Sequence, residues 1–233
     1  MIQEILLLCD PLMVHDLEAV LVGTNPQLVV TRILSGKQLE ERCLQSLQKT
    51  RILSFGSDII VPDSVLKRLD CGAYNFHPGP PTYPGRFPSS FFLFDKGTQF
   101  GSTVHEMIAK VDRGAIIAVD WFEVPPNMDC VTLNIMSFQS LFAMFSALAP
   151  SLASRQEPFD HSDEVWQGRT TTQKNFDDLC RMPSDVNPEE FQRRYRAVGE
   201  GPDHALEITL HGHRFRLDNQ HIAPDVIIGG KNR

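Results

Sequence analysis

The chain lacks G-x-G-x-x-G, G-x-x-x-x-G-K, G-x-S-x-G and C-x-x-C. These absences exclude the fingerprint turn of a dinucleotide fold, a P-loop, a hydrolase nucleophile elbow, and a paired-cysteine zinc or redox site. Basic charge is also short, with 22 Lys and Arg against 29 Asp and Glu and a net charge of −7. That balance argues against a broad nucleic-acid surface, though not against a small anion held by a few local donors. No internal repeat or low-complexity tract is present. No segment reaches the apolar length of a membrane span, and Ile5-Leu6-Leu7-Leu8 lacks the basic flank and the length of a signal peptide. The five cysteines, Cys9, Cys43, Cys71, Cys130 and Cys180, are odd in number and widely spaced, as expected of reduced, mostly buried thiols in a cytoplasmic protein.

What is present is a globular composition. Hydrophobic residues make up 42% of 233, enough for one substantial α/β domain with a smaller C-terminal region. Short apolar runs at 5–8, 28–33, 51–55 and 73–76 read as strands. The stretches 16–22, 36–49 and 62–69 between them read as helices, with Ser35 and Pro62-Asp63 as start signals. This alternation predicts a doubly wound, mostly parallel sheet with helices on both faces. Further on, 89–95 predicts a helix, and 101–105 and 116–124 predict strands. Asp129 is placed to cap a long apolar helix over 131–152, whose Phe138, Leu141, Phe142 and Phe145 form a core stripe. Beyond residue 158 the chain is more polar. A short helix at 188–195, a hairpin of 206–210 with 214–217, and a loose tail over the last dozen residues are expected.

Between His77 and Pro88, five prolines and two glycines fall in twelve residues, so this stretch is a stiff loop following a strand. In an open parallel sheet, ligands sit beyond the carboxyl ends of the strands. The strand entering the loop carries Asn75 and His77, which period-two geometry puts on one side with Phe76 turned away. Asp112, in Val111-Asp112-Arg113-Gly114, is a third polar candidate. On these residues alone, a satisfied buried histidine and a turn-forming aspartate explain the pattern equally well. His105 reads as a structural histidine on its strand. His211-Gly212-His213 is a weak metal signal, and Arg193, Arg194 and Arg196 read as a solvated helix face or as contacts to a phosphate.

The run Asn75-Phe76-His77-Pro78, then Tyr83-Pro84-Gly85, Gly101-Ser-Thr-Val-His105 and Val111-Asp112-Arg113-Gly114 resembles the folate-dependent formyltransferases. Ser54-Phe55-Gly56 and Ile60-Val61-Pro62 resemble that family's folate-side segment, and the match covers roughly residues 50–125. The loop Gly79-Pro80-Pro81-Thr82 departs from the serine and leucines of many relatives and is more similar to the sugar N-formyltransferase branch. The resemblance implies a Rossmann-like α/β catalytic domain over 1–157 and a small α+β appendage over 158–233. It implies catalytic roles for Asn75, His77 and Asp112, and N10-formyltetrahydrofolate as co-substrate against Phe55, Gly56, Ile60, Val61 and Val111. The acceptor it implies is a small-molecule amine, a nucleotide-linked amino sugar, met by Tyr83 and Arg86. It implies no metal, nucleic acid or membrane partner, and a homodimer is compatible with it. Formyltetrahydrofolate hydrolysis, methionyl-tRNA formylation and non-catalytic folate binding are the alternatives. The regulatory domain expected before the first strand of such hydrolases weighs against that alternative, and the acidic balance and small C-terminal region weigh against tRNA.

Overall fold

The computed structural model describes residues 2–201 and 204–217, so the expected tail lies outside the described residues. The N-terminal part runs β1 (Glu4–Cys9), α1 (Val14–Thr24), β2 (Val29–Ile33), α2 (Gly36–Cys43), β3 (Thr50–Phe55), α3 (Asp63–Leu66) and β4 (Ala73–His77). It continues with α4 (Pro88–Phe94), β5 (Gln99–Glu106), β6 (Ile116–Glu123) and α5 (Cys130–Leu152). The remainder holds α6 (Gln173–Cys180), β7 (Arg181–Met182), α7 (Pro188–Val198), β8 (Glu207–Leu210) and β9 (His213–Arg216).

The main sheet has the order β2-β1-β3-β4-β5-β6. The first four strands are parallel, while β5 and β6 are antiparallel to their neighbours, which completes the mostly parallel sheet that the alternation of runs predicts. Side-chain alternation sorts the strands' residues between two cores. On one face Leu7, Leu53, Tyr74 and Phe76 meet Leu17 and Leu21 of α1 and Leu141, Phe145 and Ala149 of α5. On the other, Leu6, Leu8, Ile52 and Ala73 meet Leu39 and Cys43 of α2 and Val65 of α3. Asn75 and His77 share the parity of Ala73, so they extend this second face toward the carboxyl end of β4.

Local signals account for several helix starts. Ser35 accepts the Gln38 N–H at the start of α2, and Asp129 accepts the Thr132 N–H at the start of α5. Two predicted helices are shorter than expected, α2 ending at Cys43 and α3 covering only four residues. Helix α6 is an addition, opened by a capping box in which Thr172 and Asn175 satisfy each other's backbone N–H. The hairpin turns at His211 (φ 51°) and Gly212 (φ 82°), both left-handed as a two-residue turn requires, and β7 extends it to a three-stranded sheet.

The expectation that no segment has the length of a membrane span fails for α5, whose 23 residues are apolar enough to cross one. The physical reason lies in packing: one stripe, Leu133, Leu141, Phe145, Ala149 and Leu152, is buried against the rest of the fold. Its C-terminus is held by Arg51 of β3, itself wholly buried. The guanidinium donates to the carbonyls of Leu152 (2.8 Å), Ser151 (3.3 Å) and Arg155 (2.8 Å), while Nε donates to Cys71 O (2.9 Å). A third core joins Phe92 of α4, Phe100 of β5 and Leu133 of α5 to Phe176, Leu179, Ala197, Val198 and Leu206.

Candidate active site

Strand pairing brings Asn75 opposite His105, and His77 opposite Thr103. Asp112 reaches the same place from the loop after β5, where its backbone adopts a left-handed conformation (φ 47°). Its carboxylate is enclosed. Oδ1 lies 3.1 Å from His105 Nε2 and accepts from Asn75 Nδ2 at 3.3 Å. Oδ2 accepts the Gly85 N–H at 2.7 Å and lies 3.4 Å from His77 Nδ1. His77 Nε2 approaches Tyr83 O at 3.0 Å, which ties the imidazole to the proline loop. His105 Nε2 also lies 3.1 Å from Asn75 Nδ2, and its Nδ1 lies 2.7 Å from Glu106 O.

Irregular chain lies over this cluster. The proline loop is fastened at Thr103, whose hydroxyl donates to Gly79 O (2.7 Å). A strap of residues 158–172 is zipped to the loop by Gln167 N to Pro81 O, Thr171 N to Pro84 O and Arg86 N to Thr171 O. Arg113 secures the strap from below, donating to Thr170 Oγ1 and Gly168 O. Trp166 stands edge-on to both imidazoles, its ring centre 4.9 Å from His105 and 5.8 Å from His77, with Nε1 donating to Gly114 O.

Enclosure sets the protonation states. Burial disfavours the charged ring of His77 and holds it below the ordinary imidazole value, against the partial pull of Asp112. Burial by itself would raise the Asp112 carboxyl. The charges of His77 and His105, with the hydrogen bonds from His105 and Gly85 N–H, outweigh it and hold the group well below the usual carboxylate range. At neutral pH the site therefore offers a neutral imidazole and a fixed carboxylate, a donor and an acceptor a few ångströms apart.

The other expected residues divide. Phe55 lies in the core on the opposite face of the sheet, against Phe76 and Phe145. Gly56 turns the chain at φ +56° beneath Phe138. Val61 is buried in the second core, which also receives Met107 and so draws together the loops after β3 and β5. On those loops Ile60 (67% exposed), Ile108 (46%) and Val111 (46%) present aliphatic side chains to solvent. Tyr83 lines a cleft of about 610 Å³ with Phe91, Phe94, Asn175 and Arg194. Arg86 instead pairs with Asp58 (2.8 Å) over the ring of Phe87. Arg193 and Arg194 are not a solvated face. Arg193 lies on the Phe94 ring and donates to Phe94 O, and Arg194 donates to Leu179 O and Arg181 O.

His105 and Trp166 are members of the cluster that residue patterns alone do not reveal. His105 shares parity with Thr103 on its strand, but its role depends on the antiparallel register that sets it against Asn75. Nothing in the sequence near Trp166 signals that the strap returns over β4 and β5. Among the described residues, no group of three or more His, Cys, Asp or Glu is arranged to hold a metal.

No protein-family model matches the chain. A methionyl-tRNA formyltransferase of Lactobacillus acidophilus is 24% identical over 193 residues, covering 77% of this chain and 59% of that protein. The chain thus spans about three-fifths of the length of that curated relative. Among solved structures, a 4-N formyltransferase from Francisella tularensis superposes with a TM-score of 0.72 at 16% identity, covering 93% of this chain and 96% of that one. A sugar N-formyltransferase from Shewanella gives 0.71 at 18%, with the same coverage. An N-formyltransferase from Helicobacter canadensis, solved with folinic acid and dTDP-3-aminofucose, gives 0.66 at 16%, covering 91% and 85%. The six-stranded sheet, its flanking helices and the small C-terminal sheet are those of the formyltransferase fold, and this chain shares it.

Proposed function

We propose that the protein is an enzyme that moves the formyl group of N10-formyltetrahydrofolate onto the amino group of a nucleotide-linked amino sugar. The observation that carries this reading is the convergence of Asn75, His77 and Asp112 on one sheet face of a formyltransferase fold. Attack of a neutral amine on the formyl carbon gives a tetrahedral oxyanion. Asn75 Nδ2 and a ring N–H of His77 are the donors for that oxygen, and each exchanges a hydrogen bond inside the cluster for one to the oxyanion. Asp112, held ionised, orients His77 or a water through which the proton lost by the attacking nitrogen is relayed to N10 as the folate leaves. The proposed order of domains, catalytic over 1–157 with an appendage from 158, leaves the strap of the appendage as a wall of the site.

The co-substrate fits features of this chain. Ile60, Ile108 and Val111 are exposed aliphatic groups on two loops that the second core draws together, and a flat heterocycle would cover them. The acceptor fits the cleft beyond Tyr83. Its volume suits a nucleotide, Tyr83, Phe91 and Phe94 supply apolar walls, and Arg169 is an exposed cation at its edge. Tyr83 links the two: it lines the cleft, and its carbonyl lies 3.0 Å from His77 Nε2.

The test is release of tetrahydrofolate from N10-formyltetrahydrofolate, followed by absorbance, with no acceptor and with a panel of nucleotide-linked 3-amino and 4-amino sugars. Turnover that requires an amino sugar is the expected result. Turnover without acceptor would replace the transferase with a hydrolase, and absence of folate binding would overturn the reading altogether.

A further inference from the structure

His105 is the ionisable side chain of the buried cluster to which formyl transfer gives no task, yet its side chain is 3% exposed and touches two of the three proposed catalytic groups. Its Nδ1 lies 2.7 Å from Glu106 O. A carbonyl oxygen only accepts, so Nδ1 carries a hydrogen whatever the charge of the ring, and any change of protonation occurs at Nε2. Nε2 in turn lies 3.1 Å from Asn75 Nδ2 and 3.1 Å from Asp112 Oδ1.

Those two neighbours want opposite things. A bare Nε2 accepts one hydrogen of the Asn75 amide, and the other points to Asp112 Oδ1 at 3.3 Å, so both amide hydrogens are turned inward. A protonated Nε2 donates to Asp112 Oδ1 and sets donor against donor at Asn75, whose amide must then turn and present an N–H outward. The remaining ionisable groups near the ring are His77 of β4, across Asp112, and Glu106, whose carboxylate pairs with His161 of the strap at 3.2 Å. Trp166 covers the ring from the strap and brings no charge.

We propose that His105 is a positioning residue: the proton state of its Nε2 decides whether the Asn75 amide faces inward or offers a hydrogen to the reacting formyl oxygen. The inference rests on the reading of Asn75 as an oxyanion donor. It makes the donor-competent site the form with an imidazolium at position 105, balanced by the Asp112 carboxylate. Turnover then falls as rising pH removes the Nε2 proton, in addition to any limb that belongs to the amine. A role confined to packing would give no such limb.

The first test needs no acceptor. The full chain, labelled with 15N in histidine and asparagine, is titrated while the ring nitrogens and the Asn75 side-chain amide are followed by NMR. His105→Gln serves for assignment, or His105→Asn if that variant does not fold. The expected result is a bare Nε2 at high pH that gains a proton on acidification, with the Asn75 amide signals shifting at the same midpoint. Loss of that shift in the substituted chain is expected as well. A proton on Nε2 and none on Nδ1 at high pH, or Asn75 signals indifferent to His105, would overturn the proposal. In turnover of N10-formyltetrahydrofolate, His105→Gln is expected to lose the alkaline limb, and a limb retained unchanged would also overturn it. Failure of every acceptor would count against the formyl-transfer reading and leave the NMR result to decide the coupling.

Discussion

Asn75 and His77 are two residues apart on one strand, so each can be removed without disturbing the Phe76 side chain that holds the strand in the opposite core. Asn75→Ala and His77→Ala are expected to lower kcat by about 10²–10³, the usual effect of deleting one oxyanion donor, while circular dichroism stays native. Near-normal turnover in a folded His77→Ala protein would remove it from the reaction. The same residue bears on stability. Because burial lowers its pKa, the unfolded chain, near the ordinary value of about 6.5, binds a proton first as pH falls. The His77 contribution is therefore complete above that value and is lost below it. Asp112 acts with the same sign lower down, stabilising above its unfolded value of about 3.9 and losing that contribution in stronger acid. Urea midpoints compared at about pH 7.5 and about pH 5 should differ less in His77→Gln than in the native chain. An unchanged difference would place the titration on another group.

At the scale of elements, the arrangement rests on two attachments. One is the anchor of α5. Replacing Arg51 with Met leaves the buried carbonyls of Cys71 and Leu152, and the half-buried one of Arg155, without their charged donor. It should cost about 3 kcal/mol or more of stability, read from urea unfolding. The other is the seam between proline loop and strap. Gly85 adopts φ +97° and faces the Thr171 backbone so closely that a Cβ has no room. Its N–H also fixes Asp112 Oδ2. Gly85→Ala should therefore part the strap from the loop and shift the carboxylate. Turnover is expected to fall sharply while the melting temperature falls only modestly, because the cores lie elsewhere. Equal loss of both would show that the seam serves the fold as a whole. Capping residues such as Ser35 and Asp129 are local, which is why those helix starts are readable from the chain, whereas α6, behind the Thr172–Asn175 pair, is not among the predicted helices. The end of α2 at Cys43 and the short α3 are not, since tertiary packing decides where a helix stops being useful.

For the whole molecule, the third core matters most. Phe92, Phe100 and Leu133 lie before residue 158, and Phe176, Leu179, Ala197 and Leu206 after it, yet they form one cluster. Unfolding by urea should accordingly be a single transition, coincident by far-ultraviolet circular dichroism and by tryptophan fluorescence, to which Trp121 and Trp166 report from the two sides of that point. Two separated transitions would show that the C-terminal region unfolds independently. The all-buried, free cysteines need no oxidant for this, and burial pushes the Cys9 and Cys180 thiols up to about 11, away from thiolate chemistry.

By itself the chain determined what is local or periodic. Alternation along β4 assigned Asn75 and His77 to one face, apolar runs alternating with helices predicted a mostly parallel sheet, and five prolines in twelve residues made a stiff loop. Only the tertiary structure decided what depends on segments distant in sequence meeting in space. The antiparallel register of β4 and β5 set His105 against Asn75. The return of the strap laid Trp166 over both imidazoles, and burial of Phe55 on the far face withdrew its side chain from the site. Register and chain return are governed by the summed packing of many residues, and no single position carries that information along the chain.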